Sequence, residues 1–453
     1  MTLSDDQEYE RKKRDLVLEF QNTLDLKKNI SLSKKTSNLF RNRKDHQSNK
    51  LNVKHLNSVL SIDPLRLVAT VEGMVTFEDF VNETLQYDCL PAVVPQLKTI
   101  TVGGAIAGLG IESSSFRYGL VHETVLEMEI LTGSGQVVVA RPDNEHSDLF
   151  FAFPNSYGTL GYCLKAMLQL IRAKKFVRLT NIRFDDPKSY FAHLESLCME
   201  HRQSTRDTFI DGVIFNDKEM YIILGEFVDS ASNISNYTYL QSYYRSIQKK
   251  KEQFLTVYDY IWRWDADWFW CSKHFGMDHF ILRLLFGKFM LHSSVYWKIK
   301  HLFGTNPLFR KTLEIFESPK ESVIQDILMP ICNASLFYDF LRQEIQITPI
   351  WICPFQFYHS DTRFTFCPKL DLYLDFGFWD MIPTTHPKGF FNRLVERKTE
   401  ELGGLKSLYS DSYYTKEEFW NMYSKPTFDQ LKRKYDPNLV FKDLYAKVSD
   451  AMV

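Results

Sequence analysis

The stretch TVGGAIAGLGIESSSFRYG, Thr101 to Gly119, places four glycines (Gly103, Gly104, Gly108, Gly110) within eight residues and follows them with Glu112 and three serines. Glycine serves where the chain must take positive φ or where a ligand approaches the backbone closely. Two in succession free neighbouring N–H groups to face an anion, so a phosphate-bearing cofactor fits the chemistry. A tight turn between buried elements is the alternative that a lone glycine pair leaves open. The spacing is not G-x-G-x-x-G and no strand opens it in that register, which argues against an NAD-type Rossmann turn.

Composition narrows the field. With 453 residues the chain can bury a sizeable core, and two domains are expected. The 55 basic and 56 acidic residues leave a formal charge of -1 and no sustained basic field, so no nucleic-acid partner is expected. Seven cysteines are scattered without a C-x-x-C pair, which points to neither a zinc site nor a disulfide framework and suits a reducing compartment. No metal ligand set is assigned, and His55, His122 and His146 read as surface or core residues. The first residues are charged, and no run approaches the roughly 20 apolar residues that span a bilayer. The expected location is cytoplasmic, with contact at a membrane surface left open.

These residues must be positioned by an α+β scaffold of short strands. Residues 5–25 read as an amphipathic helix, and a strand pair turning at Asp63-Pro64 is followed by a helix starting at Thr76. A hairpin turns at Gly133-Ser134-Gly135. A fresh α+β unit begins at FVRLTNIRF, ITPIWICPFQFY and KLDLYLDFGFW read as apolar strands, and the tail from Lys416 is helical. The expected division is a first domain at 1–175, a second at 176–405 with an aromatic helical insertion at about 258–300, and a helical segment at 406–453 that returns to the first.

Several separated motifs carry a family resemblance: TVGG, G-x-G-I-E-S-S-S-x-x-Y-G-L, S-D-L-F-x-A-x-P-x-S-x-G-T-L-G, Q-D-x-L-x-P, P-I-W-x-C-P-F and E-E-F-W. In this order the chain resembles the FAD-binding domain of the vanillyl-alcohol-oxidase superfamily and, within it, the delta-24-sterol reductases, from about residue 30 to 450. The resemblance implies a two-domain α+β flavoprotein of PCMH type, with FAD between the domains. It implies flavin contacts at Thr101, Val102, Gly103, Gly104, Gly108, Ile111, Glu112, Ser113, Ser114, Tyr118 and Gly119. It also implies a second pyrophosphate turn holding Ser37, Asn38, Leu39 and Arg41, and Gly158, Thr159, Leu160 and Gly161 near the adenine or ribose. Where many oxidases of the superfamily carry a linking histidine, this chain has Ser37-Asn38-Leu39-Phe40, so FAD is expected to be non-covalent. The N-terminal membrane segment of the animal sterol reductases has no counterpart in the first residues here.

The implied activity is reduction of a sterol side-chain double bond with hydride from NADPH by way of FAD. Such chemistry needs a dry apolar slot and a proton donor. Alternation along DLYLDF sends Asp371, Tyr373 and Asp375 to one face and Leu372, Leu374 and Phe376 to the other. Tyr373 is the expected donor, with Glu112 and Asp375 behind it; the alternative makes Tyr373 a packing residue. No second glycine fingerprint marks an NADPH site, which suits a nicotinamide that docks transiently. It equally suits a sugar or alcohol oxidase, and a non-catalytic flavin-binding protein at a membrane is a third reading. The stretch Tyr258–Met290, with Trp262, Trp264, Trp268, Trp270, Arg283 and Lys288 and with Lys298 beyond it, is either core or a surface that rests on lipid.

Overall fold

The computed structural model describes residues 5–24, 29–34, 37–41, 48–271, 279–291, 295, 319–358 and 372–449. Two mixed α/β layers meet face to face. The first is built on a six-stranded sheet whose central strand, Tyr162–Arg172, pairs antiparallel with Val68–Glu72, Val125–Leu131 and Cys89–Pro91. The strand pair expected around Asp63-Pro64 forms as Val59–Asp63 and Val68–Glu72; the Asp63 carboxylate accepts from the Leu65 and Arg66 amides and fixes the turn. The hairpin at Gly133-Ser134-Gly135 joins Val125–Leu131 to Val137–Ala140, with Gly135 at φ 81°. Thr76 caps the helix Phe77–Leu85 through the Asp79 amide, as its sequence predicts.

The second layer is an eight-stranded antiparallel sheet drawn from residues between Phe176 and Lys406. Its three strands Lys320–Pro330, Ile350–Gln356 and Leu372–Pro383 have two different faces. Val323, Ile327, Ile350, Ile352, Leu372, Leu374 and Phe376 point into an apolar core covered by the helices Pro187–Arg202, Ala334–Phe340 and Phe390–Glu401. Tyr373, Trp351, Phe355 and Trp379 point the other way, into the core shared with the first layer. The alternation expected of DLYLDF therefore holds over its described residues, while Asp371 lies outside them. The helices Lys416–Tyr423 and Lys425–Tyr435 return to the first layer, where Lys432 Nζ donates to the Thr159 carbonyl at 3.1 Å and the Gly133 amide donates to the Tyr435 carbonyl at 2.8 Å.

One expectation is corrected. Gly103 and Gly104 do not sit at positive φ; they occupy the first turn of a short helix, Val102–Ala107, capped by Thr101, whose hydroxyl accepts from the Gly104 amide at 3.3 Å. Of the two readings of the tryptophan-rich stretch, its tryptophans take the core one. Trp262, Trp264, Trp268 and Trp270 are buried, and Arg283 is buried with them, ion-paired to Asp267. The short helix Val257–Ile261 runs into turns in which Trp268, Phe269 and Trp270 all take left-handed φ. That costs on the order of 1–2 kcal/mol per residue and is held by ring packing: Phe269 stacks on Trp264 at 5.1 Å and meets Trp379 at 4.7 Å. Lys298 lies outside the described residues.

Candidate functional site

A cavity of about 550 Å³ opens where the two layers meet, within the usual size of a cofactor site. One wall is the glycine helix and its neighbours. Thr101, Gly103, Gly104, Gly108 and Ile111 line it, as do Gly158 and Gly161 from the second glycine turn. Ser37, Asn38, Leu39 and Arg41 complete this side. Asn38 accepts from the Thr99 hydroxyl at 3.1 Å, and the Arg41 guanidinium lies over the Tyr157 ring at 4.8 Å while donating to the Leu408 carbonyl. The opposite wall comes from the second layer: Trp268, Phe269, Trp379, Asp326 and Tyr409.

The remaining expected contacts do not line the cavity. Val102 and Leu160 are core residues, and the Thr159 hydroxyl is spent on the Ser156 carbonyl. Tyr118 donates to Asp207 of the second layer, and Gly119, at φ 73°, makes a turn against the Glu123 side chain. Glu112, Ser113 and Ser114 form a junction between the layers instead of a cofactor cradle. Glu112 is ion-paired to Arg263 at 2.7 Å, and Arg263 pairs with Asp211 at 2.9 Å. The Ser113 hydroxyl meets that of Tyr260 at 2.8 Å, the Ile210 amide donates to the Ser113 carbonyl, and the Ser114 hydroxyl donates to the Ala92 carbonyl. Burial pushes the Glu112 carboxyl up to about 7, with the nearby Arg263 pulling back.

Of the expected catalytic residues, Tyr373 is 2% exposed and wedged between the rings of Phe355 and Phe357, each at 5.7 Å, away from the cavity wall. Asp375 is fully buried, and neither of its oxygens has a hydrogen-bond partner among the described residues. Burial, with the neighbouring Asp326 adding to it, holds its carboxyl well above the usual range. Asp326 was not singled out from the sequence, although it is the acid of the Q-D-x-L-x-P motif; strand pairing puts it on the same face as Asp375, opposite Gly377. The cavity is lined by Asp326, whose carboxyl is raised to about 7 by burial, with the nearby Tyr409 hydroxyl pulling it back. Sequence reasoning also missed Arg263, Asp211, Trp379 and Tyr409, because each gains its meaning from a partner distant in the chain.

A family model described as an FAD binding domain matches residues 31–141. The chain is 29% identical to Delta(24)-sterol reductase of Homo sapiens over 439 residues, covering 90% of this chain and 79% of that protein. The Mus musculus reductase is likewise 29% identical with the same coverage, and that of Arabidopsis thaliana is 26% identical over 86% of this chain and 74% of its own. The resemblance to the delta-24-sterol reductases thus runs along nearly the whole chain, and the cofactor is FAD. The residues present fit it. No side chain rises from Gly104 towards the cavity, where a Cβ would meet only the Thr101 hydroxyl. Gln96 lines the cavity with a buried amide nitrogen that has no hydrogen-bond partner among the described residues. Lys34, Lys50, Lys442 and Lys447 line it too, which suits a ligand carrying phosphates.

Proposed function

We infer that this chain is an FAD-dependent oxidoreductase of the delta-24-sterol reductase type. It saturates the side-chain C24–C25 double bond of a sterol, or of a similar prenoid lipid, with hydride drawn from NADPH. The observation that carries this reading is one cavity in which a glycine-lined wall from the FAD-domain match faces an aromatic and acidic wall from the second layer. FAD, when bound, supplies a two-electron carrier that accepts hydride from the nicotinamide and hands it to the alkene.

In this reading the residues of the first layer bind the cofactor without a covalent bond. Thr101, Gly103, Gly104, Gly108 and Ile111 leave room for its backbone-facing surface, and Asn38, Arg41 and Gln96 donate to it. Gly158 and Gly161 lie towards the nucleotide end. Trp268, Phe269 and Trp379 keep water from the reacting carbons. Glu112, with Arg263, holds the two layers in register, and Tyr373 supports the wall from behind; neither touches the reacting atoms. The domain division follows the sheets, residues 1–175 serving the cofactor and 176–405 the substrate, with the C-terminal helices tying them together.

The substrate's poor solubility calls for a lipid contact. With the tryptophans buried, the part of this stretch that faces outwards is the helix Phe280–Met290, where Phe280, Ile281, Leu284 and Leu285 are exposed. It supports peripheral contact with a membrane from the cytoplasmic side. Among the described residues no helix is long and apolar enough to cross one.

The test is direct. The purified protein releases free FAD on acid precipitation, NADPH bleaches the flavin band without oxygen, and incubation with a C24-unsaturated sterol yields a product heavier by one molecule of hydrogen. A flavin that NADPH leaves oxidised while a sugar or alcohol bleaches it would replace the reductase by an oxidase.

A further inference from the structure

We propose that Asp326 is the proton donor to the alkene, with the buried acid Asp375 as its neighbour on the same face and Tyr409 as the group that orients it. This deepens the reductase reading and rests on it. Asp326 and Asp375 stand on adjacent strands, Asp326 paired with Gly377 and Leu328 with Asp375, so the two carboxyls are diagonal neighbours on the face that looks into the first layer. Gly377 gives Asp326 its room: a Cβ there would lie 3.1 Å from Asp326 Oδ1 and 2.7 Å from the Trp379 ring.

Neither carboxyl is ion-paired with a described residue. Asp375 has two unpartnered oxygens, and Asp326 Oδ1 is also unpartnered although Asp326 lines the cavity. Tyr409 lines the cavity with Asp326, and its hydroxyl oxygen is held in place by accepting from Trp379 Nε1 at 2.8 Å. Among the described residues the titratable groups that interact with the pair are Tyr409, Tyr157 from the glycine-turn segment and Cys353 from the neighbouring strand, and no cation is among them. Two acids this close in a dry place cannot both ionise. Burial pushes both upward, with Asp326 adding to the rise at Asp375, so the pair retains protons towards neutral pH, and Asp326 is its member on the cavity wall.

The step balances. The alkene π bond breaks, one carbon takes the hydride already assigned, and the other forms a C–H bond with the proton as the Asp326 O–H bond breaks. The carboxylate left behind regains its proton from water between turnovers.

The experiment uses the FAD-bound protein and the variants Asp326→Asn, Asp375→Asn and Tyr409→Phe. Difference infrared spectroscopy across about pH 7 is expected to show, in the wild type, a buried protonated-carboxyl C=O component that weakens as pH rises and is missing from the difference spectrum of Asp326→Asn, while the bands of Asp375 and Glu112 remain. Anaerobic bleaching by NADPH stays at the wild-type rate in Asp326→Asn, whereas reoxidation of the bleached enzyme by the sterol falls by about 100-fold or more. Asp375→Asn resembles the protonated acid and retains the Asp326 component; loss of that component from Asp375→Asn instead would make Asp375 the titrating acid and overturn the assignment to Asp326. Reoxidation of Asp326→Asn within about 3-fold of wild type, or an unchanged carboxyl band, overturns the proposal. If the wild type shows the band but passes hydrogen to no sterol, the reductase reading fails and the donor role with it, which separates that failure from loss of the acid pair itself.

Discussion

Arg263 and Glu112 meet at 2.7 Å across the junction of the two layers, both fully buried, with Asp211 on the other side of the guanidinium at 2.9 Å. Asp211 in turn accepts from Trp351 Nε1 at 3.1 Å and Trp264 Nε1 at 3.3 Å. One cation thus holds two carboxylates, a glycine-loop segment and two sheet-layer tryptophans in one place, beside the cavity but not in it.

Removing that cation leaves two buried carboxylates without compensation. Arg263→Ala is expected to cost about 3–5 kcal/mol. Without Arg263, which pulls the Glu112 carboxyl down, the folded-state proton affinity of Glu112 rises further above its unfolded value, so the variant's deficit is smallest below about pH 4 and grows as pH rises. Thermal unfolding of variant and wild type across pH checks it; a deficit that shrinks with rising pH would show that the pair is not held as described.

The adjacent glycines are expected to behave differently. A Cβ on Gly104 meets only the Thr101 hydroxyl, at 2.8 Å, on the cavity side. A Cβ on Gly103 lies 2.9 Å from the Gly73 carbonyl oxygen and 3.4 Å from that of Cys163, both backbone. Gly104→Val should therefore lose flavin while melting within a few degrees of the wild-type apoprotein, and Gly103→Val should lose about 1–3 kcal/mol of stability as well. Flavin content and melting temperature decide it, and wild-type occupancy in Gly104→Val would remove this backbone from the cofactor site.

The tryptophans and the exposed helix are separable. Trp264 is fully buried, stacked on Phe269 at 5.1 Å and edge-on to Tyr243 at 4.8 Å, so Trp264→Ala should cost about 3–5 kcal/mol. Ile281→Asp with Leu284→Asp should leave flavin content intact and weaken co-sedimentation with liposomes. If the wild type never sediments, or the double variant sediments as well as the wild type, the helix is not a lipid contact.

The sequence shows plainly whatever is local. The Asp63 turn, the Thr76 cap, the Gly133–Gly135 hairpin and the two-faced strand through Tyr373 each follow from neighbours in the chain. The glycine wall was legible from the density of glycines, but not its conformation: helical Gly103 and Gly104 serve close approach, while the positive φ expected of them appears at Gly158 and Gly119. The serines after Glu112 mark a junction because Arg263 and Tyr260 arrive from about 150 residues away in sequence, and nothing near Glu112 announces them. Asp326 was quoted within a motif without a role for the same reason, since its partners Asp375 and Tyr409 come from other strands and loops. Aromatic content marked the tryptophan stretch, but composition does not distinguish a buried ring cluster from an interfacial one.

The acid pair also predicts an unusual pH dependence of stability. Asp326 ionises near the ordinary value of 3.8 when unfolded and at about 7 when folded, so the folded state holds the extra proton between those limits. Its contribution is fully present below about pH 4 and is lost as pH rises through 7, a swing on the order of 4 kcal/mol. Half-buried, ion-paired acids such as Glu418, held down to about 2 by Arg393, run the other way and lose stability only as pH falls far lower. Their share cancels when wild type is compared with Asp326→Asn. Asparagine resembles the protonated acid, so the two proteins should unfold at similar temperatures near pH 5. At pH 8 the wild type carries a buried charge that the variant lacks, and the variant should be the more stable of the two. Calorimetry at the two pH values reads the difference directly, and a variant less stable by the same margin at both would mean that Asp326 is ionised throughout and does not hold a proton in the folded protein.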